Sequence, residues 1–391
     1  MKTGVAMKMK RWMFLLICVL LMGPAACKKN GNPSQPSTAA TPTATAAATV
    51  SPTNTFTPTP TSTTILTCIP TPISNTTGTG NLTLAGKLTR PTPDSTAHKV
   101  VVLIHGWTTD DPSNPPTNGY DGYWTGLEQS LSGPLSGYDS RLMEYHWEAD
   151  ASTGAPDIAA CLSHNTTATM KALNYASAAG YNGYLNGDRL AAQLEEYSGS
   201  LKYVTFIAHS AGAWVAYKAA KTLLDADPCV KVGVVLLDPF IPGICSATGS
   251  PLNVTLMNTL TNEHSDRIYL LENYYVVDTF TDQLVIPQCE NVAFTSQTFS
   301  WRSGDVNLRV DYMRTLTSGC YRPDLGADSL YTTIDQYTNW HSEPLHFYVD
   351  TADYFAGTAN SSCLSSFPSS RLSYSIYHTG FYNLAAAYSS N

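Results

Sequence analysis

Three runs of the chain are apolar almost without interruption: Val100-Val101-Val102-Leu103-Ile104, Val204-Thr205-Phe206-Ile207 and Val232-Gly233-Val234-Val235-Leu236-Leu237. A strand that faces solvent on one side alternates polar and apolar residues. Continuous runs of this length instead predict strands buried on both faces of a parallel sheet. Between them the period changes to that of a helix. Leu190, Leu194 and Tyr197 fall on one face of the segment Asp188–Tyr197. The alanine-rich segment Ala211–Leu224 carries Trp214, Tyr217 and Leu224 as its larger residues. This alternation predicts an α/β domain, with a doubly wound, mostly parallel sheet and helices on both faces. Residues 81–391 are assigned to that domain. It is long enough for one large core, and no internal repeat divides it.

The pattern before the domain is different. Lys2, Lys8, Lys10 and Arg11 precede an apolar run from Trp12 to Met22, and Gly23-Pro24-Ala25-Ala26-Cys27 follows. Residues 1–27 therefore read as a signal peptide whose apolar stretch is too short to be a comfortable membrane span. The small residues ending on Cys27 resemble the lipobox of bacterial lipoproteins, although Pro24 stands where leucine is usual. The resemblance implies acylation of Cys27 and a membrane held through that lipid; cleavage near Ala26 with plain secretion is the alternative. Residues 28–80 are rich in Thr, Pro, Ala and Ser, and no charged residue occurs from Asn30 to Gly86. Such a segment cannot bury a core. At ~3.1 Å per residue, about forty residues of it could hold a domain on the order of 100 Å from its anchor. The expected location is the cell envelope, at the outer membrane or the cell surface.

The formal net charge of −8, without a basic cluster beyond the signal region, gives no footprint for nucleic acid. Seven cysteines remain once Cys18 and Cys27 are set aside: Cys68, Cys161, Cys229, Cys245, Cys289, Cys320 and Cys363. None has the spacing of a metal site, so disulfides are expected, with one cysteine left over.

Candidate chemistry centres on Ile207-Ala208-His209-Ser210-Ala211-Gly212. A buried strand ends there on a serine with small neighbours, and a helix follows. This is the pattern of a nucleophile elbow, in which the strained turn lifts the hydroxyl clear of the sheet. Acyl transfer by Ser210 needs a base, an acid that orients the base, and donors for the oxyanion. Asp238 directly follows the strand ending at Leu237, so it shares the serine's edge of the sheet, while Asp225 and Asp227 belong to the opposite edge. Of His264, His341, His346 and His378, the base is assigned to His341, in a loop just before an apolar helical stretch; His346 is kept as its rival. His209 reads as a packing residue. The oxyanion donors are the backbone N–H groups of Ala211 and of Trp107, the latter in the turn His105-Gly106-Trp107 after the first buried strand. Gly106 and Gly212 permit the turns that these roles require. No metal or organic cofactor is called for.

Taken together, Ile104-His105-Gly106-Trp107, the Ser210 elbow, Leu237-Asp238-Pro239 and His341 followed by Phe347-Tyr348 resemble the pancreatic lipase family of α/β hydrolases. The match is by motif across residues 99 to 355. Ala208 replaces the first glycine of the elbow, and the chain after Phe355 is too short for that family's β-sandwich domain. The resemblance implies a serine carboxylic-ester hydrolase acting through Ser210, His341 and Asp238, with an acyl ester or lipid as substrate. Two alternatives stay open. One is an esterase for short or polysaccharide-linked acyl groups, with Trp107, Tyr120, Tyr123 and Trp124 as a sugar platform. The other is a surface-binding lipoprotein on a hydrolase scaffold without catalysis.

Overall fold

The structure is a computed structural model, and it describes residues 70–74, 77–87, 98–108, 125–155, 166–197, 201–239, 260–275, 302, 304–310, 343–357 and 378–390. The expected signal peptide, Cys27, His341, the aromatic group Tyr120, Tyr123 and Trp124, and every cysteine except Cys229 lie outside these residues. Cys229 is disulfide-bonded.

Seven strands form one sheet: β1 (Asn81–Leu84), β2 (Lys99–Ile104), β3 (Ser140–His146), β4 (Tyr203–His209), β5 (Lys231–Leu237), β6 (Ile268–Tyr275) and β7 (Val306–Arg309). Their order across the sheet is β1-β3-β2-β4-β5-β6-β7. All neighbours run parallel except β1, which is antiparallel to β3. The helices are α1 (Thr125–Ser136), α2 (Glu148–Ala151), α3 (Thr166–Glu195), α4 (Gly212–Ala226), α5 (Glu343–Ala356) and α6 (Gly380–Ser389). The domain is thus α/β, with a mixed and mostly parallel sheet.

The three continuous apolar runs are β2, β4 and β5, at the centre of the sheet. Successive side chains on a strand point to opposite faces, so each run feeds two cores. Val100, Val102, Ile104, Val204 and Phe206 pack on one side, in a cluster with Leu190 and Leu194 of α3 and Trp214 and Val215 of α4. Val101, Leu103, Ile207, Val235 and Leu237 pack on the other, with Leu127 of α1, Phe347 and Tyr348 of α5, and Phe381 of α6. Since a fully buried Val or Leu is worth about 1.5–3 kcal/mol, neither face of these strands could be left in water.

The long helix α3 extends well upstream of the face formed by Leu190 and Leu194. Its packing on α4 is close enough to exclude side chains: a Cβ on Gly187 would stand 2.5 Å from Lys218 Cβ and 2.8 Å from both Ala219 N and Val215 O. Small residues bring these two backbones together, and the same small residues blur the amphipathic period that would have announced the helix.

The segment before β1 is already fixed to the domain. Thr71 N–H donates to the carbonyl of Ala226 at 2.8 Å, and Ile73 N–H to Glu195 Oε2 at 2.8 Å. Ala226 ends α4 and Glu195 ends α3. Both therefore lie toward the edge from which the parallel strands start. Further on, Thr79 N–H and its hydroxyl donate to Asp150 Oδ2 at 2.9 and 2.8 Å, and Asn81 opposes His146 at the other edge.

Candidate functional site

The edge where the parallel strands end carries most of the expected site. Ser210 is the first residue beyond β4 and lies two before the start of α4. Its φ is +55°, in the left-handed region that a residue with a side chain normally avoids, at a cost of about 1–3 kcal/mol. The turn is held from the neighbouring strand, because Ser210 N–H donates to the carbonyl of Leu237 at 3.1 Å. One strand over, Asp238 repeats the device. Its φ is +46°, and its N–H donates to the carbonyl of Tyr274 at 2.7 Å. His209 pairs with Leu237 across β4 and β5, so two left-handed residues follow directly on paired positions. Ser210 is 5% exposed and Asp238 2%.

The turn after β2 lies against the serine. A Cβ on Gly106 would stand 2.6 Å from Ser210 Cβ and 3.1 Å from its Oγ, so nothing larger than glycine fits there. Gly212 is constrained from the same direction: its Cβ would meet the carbonyl oxygens of His105 at 2.5 Å and Ile104 at 2.7 Å. The elbow and the β2 turn interlock through these two glycines. Ala211 stands at the N-cap of α4, where the partial positive charge of the helix end favours a developing oxyanion.

His105 is buried and stacks on Trp147, with ring centroids 5.4 Å apart and planes 22° from parallel. Its Nδ1 lies 2.8 Å from the carbonyl oxygen of Gly106, and its Nε2 faces the backbone N–H of Trp147 at 3.4 Å. Trp147 Nε1–H donates to the carbonyl of His105 at 3.0 Å. Thr108 closes the loop from the other end, with its N–H on the carbonyl of Ala151 at 3.2 Å and its hydroxyl 2.5 Å from that of Ser152. Burial lowers the pKa of His105, outweighing the nearby Glu148 carboxylate, so the ring is neutral at pH 7.

Beside it lies an ion cluster. His146 Nδ1 is 2.8 Å from Glu148 Oε1, His146 Nε2 is 3.5 Å from Glu144 Oε2, and His105 Nε2 is 3.7 Å from Glu148 Oε1. Burial alone would lower the pKa of His146, but hydrogen bonds to Glu144 and Glu148 overcome it and raise the value to about 9. Nothing in the sequence patterning singles out this cluster. His146 ends a strand whose polar residues conceal its period, and α2 is too short to show one.

Among the remaining histidines, His264 lies at the far edge, just before β6. Its Nε2 is 2.8 Å from Asp225 Oδ1, and Arg267 Nη2 is 2.9 Å from its Nδ1. Asp227 is at that edge too, where its Oδ1 accepts the Cys229 N–H. His346 is half-buried within α5, and His378 is exposed before α6. The expected base, His341, lies outside the described residues, two positions before α5. Asp225, Glu263 and His264 have ligand atoms within 4.8 Å of one another. Lys221 Nζ already bonds both carboxylates, at 3.1 and 2.7 Å, and the group is at the edge remote from Ser210.

At the level of sequence the chain matches no protein-family model and no curated protein.

Proposed function

We propose that this chain is an exported serine hydrolase of carboxylic esters on an α/β-hydrolase fold, with acyl glycerides or related lipids as its substrates. The observation that carries the reading is the left-handed backbone of Ser210 between a buried strand and a helix, with Gly106 pressed against it. A strained non-glycine residue persists only where the surroundings over-determine it, and such positions cluster at functional sites. Support comes also from Asp238 at the same edge one strand away, and from a sheet whose order places β4 and β5 at its centre.

In this mechanism the Ser210 hydroxyl attacks the ester carbonyl while His341 removes its proton. The resulting oxyanion takes hydrogen bonds from the N–H groups of Trp107 and Ala211. His341 then protonates the departing alkoxide as the carbon–oxygen bond breaks, which leaves an acyl-Ser210 ester. Water attacks that ester, giving a proton to His341, and the acid leaves as the proton returns to Ser210. Asp238 orients the imidazole and stabilises its charged form. Loss of one oxyanion donor raises the barrier by ~3 kcal/mol. Acylated Cys27 and the uncharged Thr/Pro segment would hold the enzyme at an envelope membrane. Among the described residues no helix is long and apolar enough to cross one.

The test is labelling of the purified full-length chain with a fluorophosphonate. Wild type is expected to label, and Ser210→Ala and His341→Ala are expected not to. A folded wild type that resists the probe and hydrolyses no p-nitrophenyl ester would overturn the reading.

A further inference from the structure

Gly106 creates a problem that the structure also solves. Contact with Ser210 demands glycine there, yet glycine leaves the following peptide free to rotate, since no Cβ restricts its ψ. The Gly106–Trp107 peptide is the one whose N–H must face the oxyanion. Turned over, it would present a carbonyl oxygen in place of the donor.

We propose that His105 is the positioning residue that locks this peptide, holding the Gly106 carbonyl on its imidazole so that the Trp107 N–H is directed to the Ser210 side. The inference rests on the hydrolase reading above and assigns His105 a task within it. In a trans peptide the C=O and the N–H of one unit point in opposite directions, so fixing the carbonyl fixes the donor. No cis peptide occurs among the described residues.

The ring can hold the carbonyl in one tautomer. Nδ1 must carry the proton to donate to the Gly106 oxygen at 2.8 Å, and Nε2 then accepts the Trp147 N–H at 3.4 Å. Trp147 restrains the ring by stacking and the His105 backbone through its indole N–H, so the lock is itself braced on both sides. Burial keeps the imidazole neutral, which preserves the acceptor at Nε2. Glu148 lies 3.7 Å from that nitrogen and favours a proton on His105, but burial of the ring outweighs it, and the same carboxylate oxygen is 2.8 Å from His146 Nδ1.

Two variants separate a lock from a merely structural residue. His105→Phe keeps a ring to stack on Trp147 and removes the donor. His105→Asn loses the ring but retains an N–H close to the Nδ1 position. With p-nitrophenyl butyrate, His105→Phe is expected to lower kcat by roughly 10²–10³ with KM unchanged, as for loss of an oxyanion donor. Affinity for a trifluoromethyl ketone, which mimics the tetrahedral oxyanion, should fall by a similar factor. His105→Asn should recover part of both. A folded His105→Phe with wild-type kcat, or with only KM altered, overturns the proposal. Should His105→Phe fail to fold, the wild-type full-length chain decides, through the nitrogen-15 shifts of its histidine rings: a protonated Nδ1 with a bare Nε2 supports the lock, and the opposite tautomer removes it. If wild type neither labels nor hydrolyses, the hydrolase reading fails, while the tautomer measurement still reports on the hydrogen bond to Gly106.

Discussion

At Ser210 the backbone opposes stability for the sake of position. Its φ of +55° is strained for any residue with a side chain and unstrained for glycine. Ser210→Ala and Ser210→Gly should both abolish labelling. They should differ in stability, with the glycine variant more resistant to denaturant by about 1 kcal/mol. Equal midpoints would show that the turn stores no strain. Asp238→Asn tests the neighbouring left-handed residue. The amide keeps the shape and cannot hold a charged imidazole, so kcat should fall by roughly 10⁴ while folding is retained. A loss below tenfold would remove Asp238 from the mechanism. The position of both at strand ends was legible in the sequence, because Asp238 directly follows a continuous apolar run and Ser210 comes three residues after another. The interlock of Gly106 and Gly212 was legible only as a pair of permissive glycines. What those glycines avoid are atoms of segments far away in the chain.

Among the elements, legibility followed unbroken apolar runs. β2, β4 and β5 are covered on both faces, and their apolar runs say so. β3 carries half-buried polar residues at the side of the sheet, β1 has only four residues and α2 spans a single turn, so no period could reveal them. With α2 went the sequence signal for Trp147 and Glu148, which brace the turn beside Ser210. Helix α3 shows the other way a pattern fails. At Gly183 and Gly187 its contact with α4 is so close that part of the buried face is small rather than large and apolar. Gly187→Val should therefore reduce stability by about 1–3 kcal/mol through overpacking against Lys218 and Ala219. Thermal unfolding of this variant checks the contact, and an unchanged melting temperature would mean that the two helices can part without loss.

Across the whole molecule, two of the described buried groups, Glu272 and His146, make stability fall as pH rises. Glu272 on β6 is buried, which raises its pKa to about 8 against the hydrogen bond from Asn383. Tyr274 and Asp305 are the other titratable groups that act on it. His146 is raised to about 9 by Glu144 and Glu148. In each case the folded protein holds its proton more tightly than the unfolded chain does. The stability from Glu272 is therefore complete below pH 4.5 and is lost as pH rises to about 8, while that from His146 is complete below 6.5 and is lost by about 9. Above pH 6.5 denaturation midpoints should fall steadily, while below it the lowered pKa of His105 acts in the opposite sense. Glu272→Gln should flatten the part up to pH 8 and His146→Gln the part up to pH 9, and a wild-type profile that is level from pH 6.5 to 9 would refute both. Neither group could be found from the sequence, since the Glu272 shift comes from enclosure and that of His146 from two carboxylates that the fold brings to it.

The fixing of Thr71 and Ile73 near the ends of α4 and α3 has a mechanical consequence. A pull arriving along the chain from before Pro70 meets the domain at the backbone of Ala226 and the carboxylate of Glu195, at the end of the sheet remote from Ser210. Load would be taken there first, by those two hydrogen bonds, before it could reach the strained turn.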